Sequence, residues 1–191
     1  MKSRSTSKSG GYAPIQTERL VLRPFQPGDL EQLRQIVDAL SSRYGSTEQP
    51  RAMTAAAAAE HGRSPRTDGT FEFAVIVRRT GRMAGACEIL IGPRKTGEIG
   101  YMLGPRHWGH GYATEIARAL VAFGFDGLSL RSLYAIVSLD NLRSRRVLEK
   151  SGFVWDALLQ RNRRSTGPVL DAERYIRHFD SPATRACRSA K

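Results

Sequence analysis

A strand-like run passes through a glycine-rich turn straight into a helical pattern, and this junction constrains the chain more than any other feature of its 191 residues. It reads Gly97-Glu98-Ile99-Gly100-Tyr101-Met102-Leu103-Gly104-Pro105-Arg106-His107-Trp108-Gly109-His110-Gly111-Tyr112-Ala113-Thr114-Glu115. Beyond it Ala113, Ile116, Ala117, Leu120, Val121 and Gly124 recur at helical spacing, which predicts a helix from about Tyr112 to Phe125. A helix that starts on such a turn presents unpaired backbone N–H groups at the positive end of its macrodipole. That arrangement suits an anion, most simply phosphate. Gly109 and Gly111 permit close approach, and Arg106 and His110 add donors. The P-loop pattern is not met, because no Gly-Lys-Ser/Thr follows, and the dinucleotide fingerprint lacks its third glycine.

The remaining periodicities place this junction within one α/β (α+β) domain. Arg19 to Pro24 alternates polar and apolar residues and stops at a proline, as a half-buried strand does. Leu30, Leu33, Ile36, Val37 and Leu40 then share one helix face, with Asp29 as N-cap or first-turn acid. Thr54 and the five alanines after it have high helix propensity but little to bury, so a short mobile helix is expected. Phe71–Arg79, Met83–Gly92 and Glu98–Leu103 are joined by short glycine-containing connections and predict an antiparallel meander. After the helix come a buried-type strand, Ser132–Leu139, and a helix opened by Asp140-Asn141, containing Val147 and Leu148 and ended by Gly152. Phe153–Leu159 and Val169–Phe179 are the last strands, around a basic loop from Gln160 to Gly167.

The net charge of +12 is unevenly spread. Lys2, Arg4 and Lys8 lie in residues 1–16, and Arg185, Arg188 and Lys191 in residues 181–191, with no acid in either segment. Both segments read as basic flexible tails flanking a domain at 17–180, able to touch RNA or the ribosome or simply to stay solvated. The mildly basic body suits an anionic ligand. No run approaches the roughly 20 apolar residues of a membrane span, so no membrane partner is expected. The N-terminus has no apolar core of a secretory signal, which makes a cytoplasmic location the expectation. Cys87 and Cys187 have neither disulfide-framework nor metal-ligand spacing, and no metal is expected.

The run Arg106-x-x-Gly109-x-Gly111-x-Ala113 resembles the acetyl-CoA pyrophosphate loop of the GNAT N-acetyltransferases. Three further segments stand in that family's order: Thr17 to Pro24, Glu98-Ile99-Gly100-Tyr101, and Asn141-x-x-Ser144-x-x-Val147-Leu148-Glu149-Lys150-x-Gly152-Phe153. Together they resemble the ribosomal-protein N-terminal (RimJ/RimL-like) branch over about residues 17–160. The resemblance implies a mixed, twisted, largely antiparallel sheet of about seven strands with about four helices. It also implies a splay between the fourth and fifth strands that holds acetyl-CoA.

By the same resemblance, the backbone of Tyr101, Met102 and Leu103 pairs with the pantetheine arm. The pyrophosphate sits on the amides from His107 through Trp108, Gly109, His110, Gly111, Tyr112 and Ala113 to Thr114, with Arg106 beside it. Asn141 and Ser144 contact the pantetheine and the sulfur, although their spacing also fits a helix cap and a first-turn hydroxyl. An attacking amine must be neutral, while an alkyl amine has a pKa near 10.4 and an α-amino group one near 8, so a general base is useful. Glu98 is the candidate, sharing a strand face with Gly100 and Met102, with Glu72 and Glu88 in reserve; a solvated strand-end carboxylate is the plainer role for it. A backbone N–H near Leu103, where the family's strand bulges, would stabilise the thioester oxygen. Leu148 stands where many members carry a proton-donating tyrosine, which leaves Ser144 as the nearest motif hydroxyl for the departing thiolate. Cys87, among small apolar residues, reads as a buried side chain rather than an acetyl carrier.

The implied activity is direct acetyl transfer from acetyl-CoA to a primary amine, on a small molecule or a peptide N-terminus, by a monomer or homodimer. A non-catalytic acyl-CoA-binding or ribosome-associated protein is the alternative.

Overall fold

A computed structural model describes residues 12–44, 56–57, 59, 69–159 and 171–179. The alternating runs pair into one eight-stranded sheet: β1 (Ile15–Gln16), β2 (Leu20–Arg23), β3 (Thr70–Val77), β4 (Met83–Gly92), β5 (Thr96–Leu103), β6 (Ser132–Ser138), β7 (Val154–Leu159) and β8 (Ala172–His178). Their order is β1-β2-β3-β4-β5-β6-β8-β7, antiparallel throughout except for β5 and β6. Helix α1 (Asp29–Tyr44) joins β2 towards β3, α2 (Tyr112–Ala122) lies in the crossover from β5 to β6, and α3 (Leu142–Lys150) connects β6 to β7. The seven strands expected from the sequence are all present. The eighth, β1, falls in the segment that composition groups with the basic tail.

That segment is packed on the body from Tyr12 onwards. The Tyr12 ring lies edge-on to Phe73 at 4.7 Å between centroids and tilted against Phe71 at 5.1 Å, and its hydroxyl donates to the Glu72 backbone carbonyl. Charge alone misplaces the domain's start because an aromatic anchor and two strand residues follow the last lysine directly. Residues 1–11, 45–55, 58, 60–68, 160–170 and 180–191 lie outside the described residues, and with them the expected basic loop from Gln160 to Gly167.

The sheet is apolar on both faces. Leu20, Leu22, Phe73, Val75, Ile89 and Ile99 form one core with Ile116 and Leu120 of α2 and Leu148 of α3. Phe25, Ala74, Met83 and Ala86 form a second with Leu33 of α1. Two alanines of the 54–59 run are helical and buried in this second core, Ala56 fully and Ala59 to 5% exposure, which corrects the expectation that the run has little to bury. A methyl group removes little area from water, but it lets a helix backbone approach closely. Asp29, 3% exposed, fixes where α1 starts. Its carboxylate takes two bonds from Arg23 at 2.6 and 2.9 Å and one from the Gln26 N–H at 2.7 Å, so this buried acid is both paired and hydrogen-bonded.

The parallel pairing of β5 with β6 covers only Thr96↔Ser132, Gly97↔Leu133 and Glu98↔Tyr134. Beyond Glu98 the strands part, β5 continuing along β4 to Leu103 and β6 along β8 to Ser138. This is the splay implied between the fourth and fifth strands of the sequence reading.

Candidate active site

The gap between β5 and β6 is lined by backbone as much as by side chains. The Gly104 N–H donates to the Ala84 carbonyl at 2.9 Å, and the Arg131 N–H to the Lys95 carbonyl at 2.7 Å. Antiparallel alternation between those two points turns the backbone groups of Glu98, Gly100 and Met102 towards β4, and those of Ile99, Tyr101 and Leu103 towards the gap. Of the three residues expected to meet a pantetheine arm, Tyr101 and Leu103 therefore present their main chain. Met102 is bonded towards β4 and sends its side chain to the α1 face. The Leu103 carbonyl is taken by the Trp108 indole N–H at 2.7 Å, which folds the turn back onto the strand end. The β4–β5 register is unbroken, so no bulge lies there; the irregularity is on β4, where Ala84 is the extra residue against β3.

The turn itself is left-handed at Gly109 (φ 79°) and Gly111 (φ 78°), values a side chain would strain. Gly111 caps α2, and the helix's bonding starts with the Glu115 N–H donating to the Gly111 carbonyl at 3.2 Å. Among the described residues no backbone carbonyl takes the amides of Gly109, His110, Gly111, Tyr112, Ala113 or Thr114. His107, in the turn Pro105–His107, has its pKa lowered by burial and then by the neighbouring His110, Arg106 and Arg82. The neighbouring Arg106 and Arg82 add positive charge at the turn, which favours an anion.

A clamp that the sequence reading did not identify holds this turn. Glu115 accepts from the Thr17 hydroxyl at 2.6 Å, from the Arg19 N–H at 2.8 Å and from Arg19 Nε at 2.8 Å. Arg19 also donates to the His110 carbonyl at 2.8 Å and lies 4.9 Å over the Tyr112 ring. Thr17 and Arg19 stand in a motif already singled out, but nothing local announces a partner 96 residues away. Burial alone would raise the Glu115 carboxyl; the bonds from Thr17 and Arg19 and the Arg19 charge outweigh it and hold the pKa below the ordinary 4.5. A depressed carboxyl contributes stability above its unfolded pKa that is lost as pH falls through the folded one. Urea unfolding from pH 7 to about 3 should therefore show a loss below about pH 4.5 that is reduced in Glu115→Gln. Parallel curves for the two proteins would rule the clamp out as a stabilising contact.

Across the gap, α3 presents its first turn. Asn141 caps it, its side chain accepting from the Ser144 N–H at 3.1 Å, and the Ser144 hydroxyl lies 2.7 Å from the Tyr101 hydroxyl. Burial pushes the Tyr101 phenol up to about 12, with the Ser144 hydrogen bond pulling the other way. Leu148, one turn on, is 1% exposed in the main core, so its position serves packing. Arg143 lies 5.1 Å over the Trp108 ring and links α3 to the turn.

The three carboxylates singled out from the sequence share the α1 face of neighbouring strands. Glu98 stands opposite Leu90 and Tyr134, Glu88 opposite Gly100, and Glu72 opposite Glu88. Cys87 points the other way, buried in the main core, with its thiol pKa pushed up by that burial and by Glu88. It is thus a poor nucleophile. A cavity of about 590 Å³ lies on the flank of α2 beside Thr17, Arg19 and Phe123; it touches Gly111 and Thr114 but no residue of β5 or α3. Among the described residues no helix is long and apolar enough to cross a membrane.

The acetyltransferase (GNAT) domain family matches residues 19–154. An uncharacterized N-acetyltransferase of Bacillus subtilis (strain 168), YoaA, is 30% identical over 172 residues, covering 84% of this chain and 94% of YoaA. An uncharacterized N-acetyltransferase of Bacillus licheniformis, p20, is 34% identical over 101 residues, 52% of this chain; the match spans 57% of p20's length. Among solved structures, RimL, a ribosomal L7/L12 alpha-N-protein acetyltransferase in complex with coenzyme A, superposes with a TM-score of 0.72 at 20% identity, covering 88% of this chain and 99% of that one.

Proposed function

The chain belongs to the acetyltransferase (GNAT) domain family, and on that premise we propose that it transfers the acetyl group of acetyl-CoA directly to a primary amine. One observation carries the reading: a strand edge that pairs with no neighbouring strand, presenting the Tyr101 amide and carbonyl and the Leu103 amide, runs directly into six open amides at a helix N-terminus. An amide-rich arm ending in a pyrophosphate matches that sequence of donors and acceptors. Arg106 and His110 border the phosphate end, and Asn141 and Ser144 border the end nearest Tyr101.

In the proposed reaction the amine nitrogen attacks the thioester carbon and gives up a proton, and the C–S bond breaks to release the thiolate. Glu98, on the α1 face, accepts the amine proton through water. The Leu103 N–H, which faces the gap, donates to the thioester oxygen as it gains charge. The Ser144 hydroxyl donates to the sulfur. No acetylated cysteine is needed, consistent with the burial of Cys87. The acceptor class we favour is a small amine or a peptide N-terminus, which the name of the RimL relative supports for the second alternative.

The test is thermal unfolding with and without saturating acetyl-CoA, repeated for Gly111→Glu. A ligand at about 100 times its Kd adds roughly 2.7 kcal/mol to the folded state. The wild type should show the corresponding rise in Tm and the variant none, because its carboxylate enters the anion site at a left-handed position. A panel of amines, read by thiol release, then identifies the acceptor. A folded wild type whose Tm ignores acetyl-CoA would overturn the proposal.

A further inference from the structure

We propose that Tyr101 is a positioning residue, whose phenol donates to Ser144 Oγ and thereby directs the Ser144 hydrogen at the sulfur of coenzyme A. The proposal rests on the reading above, in which Ser144 meets the leaving thiolate. A serine hydroxyl has one hydrogen and a free rotor, so a second group must set its direction. Ser144 is held at both ends: its N–H by Asn141 at 3.1 Å and its Oγ by Tyr101 at 2.7 Å. Among the described residues Tyr101 is the hydroxyl's sole hydrogen-bond partner, and the back-bond to the preceding turn that Ser151 makes to Val147 is absent at Ser144.

The tyrosine is placed for this by the sheet. Strand alternation puts the Tyr101 side chain on the same face as Ile99 and Leu103, packed against the main core, so the ring crosses the floor of the gap from β5 to α3. The phenol has a second acceptor in reach, the Ser144 carbonyl at 3.4 Å, but Oγ is 0.7 Å nearer. Burial keeps the phenol protonated through the working pH range, so it has a hydrogen to give to Ser144 Oγ. With the phenol hydrogen on Oγ, the serine hydrogen points away from Tyr101. Tyr101 need not transfer its proton; it fixes a hydrogen bond that favours thiolate over thiol.

The experiment reads the ionisation of bound coenzyme A, which requires no knowledge of the acceptor. Thiolate absorbance near 235 nm is followed against pH for free coenzyme A and for coenzyme A on the wild type, Tyr101→Phe, Ser144→Ala and the double variant, each corrected for the protein alone. The wild type should hold the bound thiol below the value found for free coenzyme A in the same titration. Tyr101→Phe and Ser144→Ala should each raise it by about one unit, and the double variant by no more than Ser144→Ala, because one residue acts through the other. Phenylalanine preserves the ring packing, and Tm values confirm folding. A Tyr101→Phe thiol that titrates as in wild type, while Ser144→Ala shifts, overturns this inference and leaves the function standing. Additive shifts also overturn it, since they make the two hydroxyls independent. An unshifted Ser144→Ala removes the role of Ser144 itself, and with it the inference. A protein that binds no coenzyme A overturns both the inference and the function.

Discussion

Gly85→Ala is expected to lower both stability and turnover, although Gly85 lies on β4, the strand behind the one that faces the gap. A Cβ built at Gly85 would lie 2.0 Å from the Met102 carbonyl oxygen and 2.9 Å from both the Met102 carbonyl carbon and Leu103 Cα. All three are main-chain atoms, so no side chain can swing aside, and β5 itself must move. The Met102–Leu103 peptide is also the one whose N–H faces the gap. Displacing it should cost about 1 to 3 kcal/mol of stability, as forced overpacking does. It should also cost about 100-fold or more in turnover, as loss of one preorganised oxyanion donor does. Urea unfolding and thiol release on the same preparation separate the two effects. Gly100→Ala is the control on the next strand: its Cβ would meet Glu88 Oε1 at 3.0 Å, the far end of a flexible side chain, and a smaller loss is expected. Full turnover by a folded Gly85→Ala enzyme would mean that the Leu103 amide is not the oxyanion donor.

How much of this was legible in the sequence depended on the range of the cause. The junction from Glu98 through Gly111 to Glu115 was readable because strand, turn and helix are each specified by residues within a few positions. The β5–β6 splay followed from the resemblance, and the structure gives it a local form in pairing that ends at Glu98↔Tyr134. The long-range contacts were not readable. Arg19 and Glu115 are ordinary surface residue types, and only the fold brings the β2 end of the chain over the helix N-terminus. Tyr101 was read for its backbone alone, because a tyrosine on a core strand gives no sign that its hydroxyl meets the first turn of α3. Gly85 carried no signal either: one small residue in Met83-Ala84-Gly85-Ala86-Cys87 looks like its neighbours until the Met102 carbonyl is set against it. The alanine run misled for the converse reason, since propensity describes the helix and says nothing about what lies beneath it.

Glu98→Gln is the substitution expected to have the largest effect on rate. The proposed chemistry needs a base on the α1 face, because the opposite face carries the main core. Alternation along β5 places Glu98, Gly100 and Met102 there, and the cross-strand register brings Glu88 opposite Gly100 and Glu72 opposite Glu88. Position and access rank the three. Glu72 is 7% exposed and two strands from the gap, so a substrate amine reaches it last. Glu88 lies one strand in, with its carboxylate against Gly100. Glu98 is on the gap strand itself, at the last residue paired with β6, where the two strands begin to part. Five residues at about 3.3 Å put it roughly 16 Å along the strand from Leu103, so the proton reaches it along a chain of waters rather than by direct contact. A positioned base contributes about 10²- to 10⁴-fold. Glu98→Gln should therefore lose activity by that factor at neutral pH, with acetyl-CoA binding by thermal shift unchanged. Glu72→Gln and Glu88→Gln should stay close to wild-type turnover. If the loss instead falls on Glu88→Gln, the base lies one strand further in, and the amine must enter from the α1 side rather than from the mouth of the splay.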